Sequence, residues 1–176
     1  MNIFITGNPR CGKSTLIQKI LEKISGKKVS GMITPEIRIR GERQGFKIID
    51  LASRQEEVLA SLNIERGPRV SRYKVNVKGI DLIINKFLES YGDSDYVVID
   101  EIGMMEFYSQ KFRETIRVVL DSNKTVLASL SKKFVKEYQS KGQIFYLTGE
   151  NFDQIYDKIL DELMQSAGAS KSGEHI

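Results

Sequence analysis

Residues 7–15 read Gly-Asn-Pro-Arg-Cys-Gly-Lys-Ser-Thr, a full match to G-x-x-x-x-G-K-[ST]. The flanks of this string constrain the fold more than the string itself. Ile3, Phe4 and Ile5 form a short apolar run before it, and Leu16, Ile17, Ile20, Leu21 and Ile24 follow at helical spacing. Strand, glycine-containing loop and helix in that order aim the backbone N–H groups of the loop and of the helix N-terminus at one anion. Gly7 and Gly12 let the chain turn tightly and put no Cβ in the way of phosphate oxygens. In such a loop Lys13 reaches the β- and γ-phosphates and the Ser14 hydroxyl meets Mg²⁺. Asn8, Pro9, Arg10, Cys11 and Thr15 complete the candidate nucleotide-binding segment.

Downstream, apolar runs alternate with helical patterns, which predicts an α/β fold with a mainly parallel sheet. Strands are expected at residues 2–6, 29–34, 96–99, 125–130 and 143–147. Helices are expected at 12–25, 79–91, 109–121, 132–139 and 151–164. Residues 36–51 read as a hairpin turning through 41–45, and 70–77 carries β-formers in weak alternation. Residues 53–62 stay open: Ser53 and Glu56 fit a capping box that starts a short helix, and the same residues fit another strand. The domain is expected to span 1–165. Residues 166–176 are small and polar, end near the only histidine, His175, and read as a disordered tail.

Asp100 and Glu101 directly follow the apolar run at 96–99. The carboxyl end of a buried parallel strand is where open α/β sheets bind ligands. Asp100 is therefore the candidate Mg²⁺ partner alongside Ser14, acting through metal-bound water. Glu101 projects differently from its neighbour, can face the γ-phosphate, and is a candidate base for an attacking water. With Lys13 it forms the candidate catalytic pair.

The run Asp-Glu-Ile-Gly-Met-Met-Glu-Phe at 100–107 resembles the Asp-Glu-Ile-Gly-x-Met-Glu signature of a family of small P-loop nucleoside triphosphatases, which includes human cancer-related NTPase and thermophilic bacterial and archaeal relatives. Residues 31–38 are similar to that family's Gly-Phe-x-Thr-Glu-Glu-Val-Arg. Gly41, Arg43, Gly45 and Phe46 match its glycine/arginine-rich turn, Tyr73 and Val75 its next segment, and residues 147–151 its C-terminal Thr-x-Glu-Asn-Arg. The resemblance covers about residues 1–165. It implies a RecA-like three-layer α/β/α sandwich with an added antiparallel hairpin region, and slow Mg²⁺-dependent hydrolysis of several nucleoside triphosphates (ATP, GTP, CTP, UTP). It also favours a strand at 53–62. Thr34, Glu36 and Arg38 then border the γ-phosphate or a second substrate, and Glu106 supports Lys13 or Arg38, or caps the next helix. The departures are Asn8 for proline and Arg10 for glycine in the loop, Pro35 for glutamate, and Phe152 for the arginine after Asn151.

Composition narrows the class without choosing the chemistry. A net charge of +4 favours anionic small molecules no less than nucleic acid. Seven of the ten arginines fall between residues 38 and 72, which suits either a phosphate-binding surface or a solvated face. Arg113 and Arg117 stand one helical turn apart, on a flank of the site or on a solvated face. Cys11 is the only cysteine, so no internal disulfide is available; with no apolar run of membrane-spanning length, a cytoplasmic monomer or weak oligomer is expected. Two other functions use the same scaffold. One is a nucleoside, nucleotide or polynucleotide kinase with the arginine-rich segment as acceptor site. The other is a regulatory nucleotide-binding module whose turnover times an interaction with a protein or RNA.

Overall fold

The computed structural model describes residues 1–169. The apolar run before the loop becomes β1 (Asn2–Gly7), buried along its whole length. Phe4 points into one core, and Ile3 and Ile5 into another on the opposite face. A strand covered on both sides needs that apolar continuity. The loop then enters α1 (Lys13–Lys23), which buries Leu16, Ile17 and Ile20. β2 (Val29–Ile33) follows. β3 (Glu36–Ile39) and β4 (Glu42–Asp50) form the predicted hairpin. Its turn is tighter than the sequence suggests: Arg40 and Gly41 alone connect the strands, with φ of 50° and 81°. Two consecutive positive φ values are what a two-residue hairpin turn requires.

Residues 53–62, left open between helix and strand, contain β5 (Glu56–Ser61). Ser53 does not cap a helix. Its hydroxyl donates to Asp50 Oδ2 at 2.6 Å and accepts from the Gln55 N–H, which closes the turn between β4 and β5. β6 (Arg69–Val70) and β7 (Tyr73–Val75) complete the antiparallel region. α2 (Val77–Tyr91) starts two residues before the expected position because the Asn76 side chain accepts from the Gly79 N–H. β8 (Tyr96–Ile102) runs three residues past the predicted end, so Asp100 and Glu101 lie within the strand. The chain continues through a 3-10 turn at Glu106–Tyr108 into α3 (Gln110–Leu120), capped by Ser109, and then β9 (Thr125–Leu130). The short helix expected at 132–139 divides into a 3-10 turn, Lys132–Phe134, and α4 (Val135–Tyr138). β10 (Gln143–Leu147) and α5 (Phe152–Ala169) end the described chain. That helix continues four residues beyond the expected domain end at 165. Residues 170–176 of the expected tail, His175 among them, lie outside the described residues.

One sheet holds all ten strands in the order β10-β1-β9-β8-β2-β4-β5-β7-β6, with β3 paired to β4. The first five run parallel, and the rest join antiparallel from β4 onward. α1 and α5 cover one face through Leu16, Ile20, Ile155 and Ile159. α2, α3 and α4 cover the other through Ile80, Phe87, Phe112 and Tyr138. This is the three-layer α/β/α sandwich with an added antiparallel region. Gly31 sets how closely β2 meets β8: its φ is +128°, and a Cβ built there would stand 1.8 Å from the Val98 carbonyl oxygen.

Candidate active site

β1, β9 and β8 end side by side, which brings three segments together. These are the loop after β1, the carboxylates of β8 and the chain leaving β9. In the loop the Cys11 N–H donates to the Asn8 carbonyl at 3.2 Å, and the Leu16 N–H to the Gly12 carbonyl at 2.9 Å opens the helix. Gly12 has φ of 103°, a left-handed conformation that penalises any side chain. Arg10 takes a left-handed φ of 64° as well, at the position where the family loop has glycine. The Lys13 ammonium arches back over the loop, 3.5 Å from the Gly7 carbonyl oxygen and 3.4 Å from that of Asn8.

Opposite the loop, three residues of β8 (Asp100–Ile102) are accommodated where β9 offers two, and the Asp100–Glu101 peptide is cis. Asp100 is 4% exposed, and both the Ser129 and Ser14 hydroxyls hydrogen-bond its carboxylate. Burial raises its pKa, and the two hydroxyls and the Lys13 charge oppose that rise without cancelling it. The Glu101 pKa is also raised, first by burial and further by the Asp100 charge, against the pull of Lys13. Glu106 is buried beneath them. Desolvation, with Glu101 and Asp100 nearby, pushes its pKa to about 8, although the backbone N–H groups of Glu106 and Gly103 favour the charged form. Gly103 makes the arrangement fit: a Cβ there would stand 2.8 Å from Glu106 Oε2 and 2.9 Å from Glu101 Oε1.

Loop and carboxylates border a cleft of about 590 Å³, lined by Lys13, Glu101, Thr34 and Glu36 among others. A smaller recess of about 260 Å³ adjoins it between Ser14 and Thr34 and reaches Asp100. The structure thus gathers residues 7–15, Asp100, Glu101, Thr34 and Glu36. Arg38 is not gathered with them. It lies out on the hairpin, donating to Glu36 at 2.8 Å and to the Gly41 carbonyl at 2.8 Å. Arg113 and Arg117 line a different groove, beside Phe107 and Tyr138. Glu106 pairs with neither Arg38 nor Lys13 among the described residues; it sits with Glu101 at the Gly103 turn. Phe152 packs beside the loop, its ring 3.4 Å from where a Gly12 Cβ would be and under the Lys19 ammonium at 5.0 Å.

Sequence reasoning missed Phe46, Ser129 and Lys132 as residues of this region, and gave Arg43 no role beyond the arginine-rich segment that suits a phosphate-binding surface or a solvated face. Arg43 lies between Glu36 Oε1, at 2.7 Å, and the Tyr73 hydroxyl, at 3.1 Å. Burial alone would raise the Tyr73 pKa, but Arg43 and Arg72, both donating to its oxygen, carry it below the ordinary value. The signal available for Ser129 and Lys132 was their place at the end of an apolar strand, the same reasoning that singled out Asp100.

A phosphate loop at the end of one parallel strand, and a carboxylate at the end of another two places away in the same sheet, define a P-loop α/β protein. The model of the NTPase family matches residues 2–160, and the chain belongs to that family. It is 40% identical to nucleoside-triphosphatase THEP1 of Methanocaldococcus jannaschii, over 93% of this chain and 98% of that one. The crystal structure of THEP1 from the hyperthermophile Aquifex aeolicus superposes with a TM-score of 0.82 at 35% identity, covering 93% of this chain and 99% of the other. The solution structure of a human cancer-related nucleoside triphosphatase gives 0.77 at 30% identity, covering 94% and 98%. Among the described residues no helix is long and apolar enough to cross a membrane.

Proposed function

We propose that this chain hydrolyses nucleoside triphosphates to diphosphate and phosphate at the cleft described above. The observation that carries the reading is the convergence of Lys13, the hydrogen-bonded Ser14–Asp100 pair and Glu101 around one space. Lys13 and the loop N–H groups bind the β- and γ-phosphates and offset the charge that develops between them. Glu101 orients the attacking water and takes its proton; a raised pKa brings this base closer to neutral pH, where proton transfer is most effective.

Ser14 and Asp100 fit Mg²⁺. They present hard oxygen donors, and Asp100 is a buried carboxylate whose hydroxyl partners do not restore its ordinary pKa. When bound, Mg²⁺ would supply charge neutralisation at the phosphates. The donors facing the cleft address phosphates, which are common to ATP, GTP, CTP and UTP, and this supports broad base acceptance. The lone Cys11, placed inside the loop, suits a reducing compartment such as the cytoplasm. The arginine-rich segment supports an acceptor site less well, because Arg38, Arg43 and Arg72 are engaged with Glu36, Tyr73 and backbone carbonyls.

Glu101→Gln should bind nucleotide like the parent and lose turnover about 10²- to 10⁴-fold. The assay is phosphate release from each of the four triphosphates, with and without Mg²⁺. Parental turnover by the variant removes Glu101 from the mechanism. Phosphate transfer that needs an added hydroxyl acceptor replaces hydrolase with kinase.

A further inference from the structure

Because β9 lies between β1 and β8, the chain leaving it passes over the space between the loop and the carboxylates. Lys132 and Lys133 open that segment and border the same cleft as Lys13 and Glu101. Lys132 is not simply splayed into solvent. Its Nζ donates to the Asn8 side-chain oxygen at 2.5 Å, joining residues 124 apart in sequence. Asn8 belongs to the phosphate loop and is one of the residues that the family pattern does not account for.

The chemistry of this contact differs from that of Arg43, another cation at the rim. Arg43 also borders the cleft, but Glu36 neutralises it and the Tyr73 hydroxyl holds it in place. An amide oxygen orients an ammonium without cancelling its charge, and among the described residues Lys132 makes no ion pair. Of three ammonium protons, one goes to Asn8 and two are left for another acceptor. An anion with several oxygens, such as a terminal phosphate, would accept them.

We propose that Lys132 is a further catalytic residue that contacts the terminal phosphate of a bound nucleoside triphosphate, with Asn8 as its positioning residue. The inference rests on the reading of this cleft as the triphosphate site. Lys132 transfers no proton and forms no bond. It adds a second cation at the phosphate that leaves, on the β9 side of the site, while Lys13 serves the loop side. Asn8 then has a function that proline could not supply, because proline carries no side-chain acceptor.

The test uses the full chain and the variants Lys132→Met, Asn8→Ala, Lys13→Met and Lys136→Met, the last on the exposed face of α4. Calorimetric titration with a non-hydrolysable triphosphate and with the diphosphate, both with Mg²⁺, is paired with phosphate release. Lys132→Met should weaken triphosphate binding about 10- to 100-fold, the range of a charge-assisted hydrogen bond, and change diphosphate affinity less than about twofold. Its turnover should fall by at least as much. Asn8→Ala should show the same pattern in smaller size, and Lys132→Arg should recover part of the loss. A parental ratio of the two affinities with parental turnover overturns the proposal, and so does an equal loss in Lys136→Met, which would reduce the effect to a long-range field. If Lys13→Met also leaves binding and turnover intact, the cleft itself has been misread; if Lys13→Met abolishes them while Lys132→Met is silent, only the role of Lys132 fails.

Discussion

Burial pushes the Glu106 pKa up to about 8, and this has a measurable consequence for stability. Its side chain is buried at 5% exposure beneath Glu101 and Asp100, and its pKa rises from 4.5 to about 8. Between those two values the folded state holds a proton that the unfolded chain has released. Stability therefore falls as pH rises through this window, and the effect is complete only above the folded pKa. At about 1.36 kcal/mol per pKa unit, the whole window corresponds to roughly 5 kcal/mol, and about 3 kcal/mol of it is lost by pH 7. That is a large share of a domain's total stability. Glu106→Gln keeps the shape of the protonated acid and cannot titrate. Urea unfolding followed by circular dichroism, from pH 5 to pH 9 without nucleotide or metal, should show the parent losing about 4 kcal/mol of stability against the variant. Glu101 titrates in both proteins, so the difference between the curves reports Glu106 together with its coupling to Glu101 and Asp100. Parallel curves across the range would mean that water or a cation reaches Glu106 and that its burial has no electrostatic effect.

Two other substitutions probe the frame around the site. Ser129→Ala removes a hydroxyl that donates to Asp100, leaving a buried carboxylate with one donor fewer; it should cost about 1–3 kcal/mol. The same loss raises the Asp100 pKa further, so the acid limb of the pH–rate profile should move to higher pH, and an unmoved limb would exclude Asp100 from that limb. Gly31→Ala places a Cβ 1.8 Å from the Val98 carbonyl at a φ of +128°. Neither β2 nor β8 can retreat within the sheet, so a loss on the order of 4 kcal/mol or more is expected, read as insoluble expression or a collapsed melting temperature.

The parallel half of the fold was legible because short apolar runs, such as residues 3–5 in β1 and 96–99 in β8, alternate with segments that repeat an apolar face at helical spacing. The antiparallel half was less so. In β5 the sequence Glu-Glu-Val-Leu-Ala-Ser has neither clean alternation nor a helical stripe, and its state was decided by the neighbours it pairs with, β4 and β7. Ser53 gave a false helix signal for a physical reason: a hydroxyl that caps a helix equally closes a turn, and Asp50, three residues back, was the better partner. In the site, the loop and Asp100 were legible from local order alone. Glu106 was seen, but its state was not. Burial under two further carboxylates comes from the turn at Gly103 and not from any spacing in the chain.

The residues that depart from the family pattern follow a rule that sequence alone does not state. The loop's path is fixed by its glycines, where Gly12 holds a left-handed φ and Gly7 lies against the Leu147 carbonyl, 2.4 Å from where its Cβ would be. Arg10 keeps the backbone conformation that glycine would supply, so its side chain can change without moving the phosphates' binding groups. Asn8 spends its side chain on Lys132, and Phe152 covers Gly12 and takes the Lys19 ammonium over its ring. In the loop and beside it, these three side chains determine what stands next to the phosphate-binding backbone. Differences in rate or nucleotide preference between this chain and its relatives should therefore trace to the contacts of residues 8 and 152 rather than to the shape of the loop. The Asn8–Lys132 contact is the more consequential of the two, because it adds uncompensated charge where a terminal phosphate would sit, whereas Phe152 adds packing behind the loop.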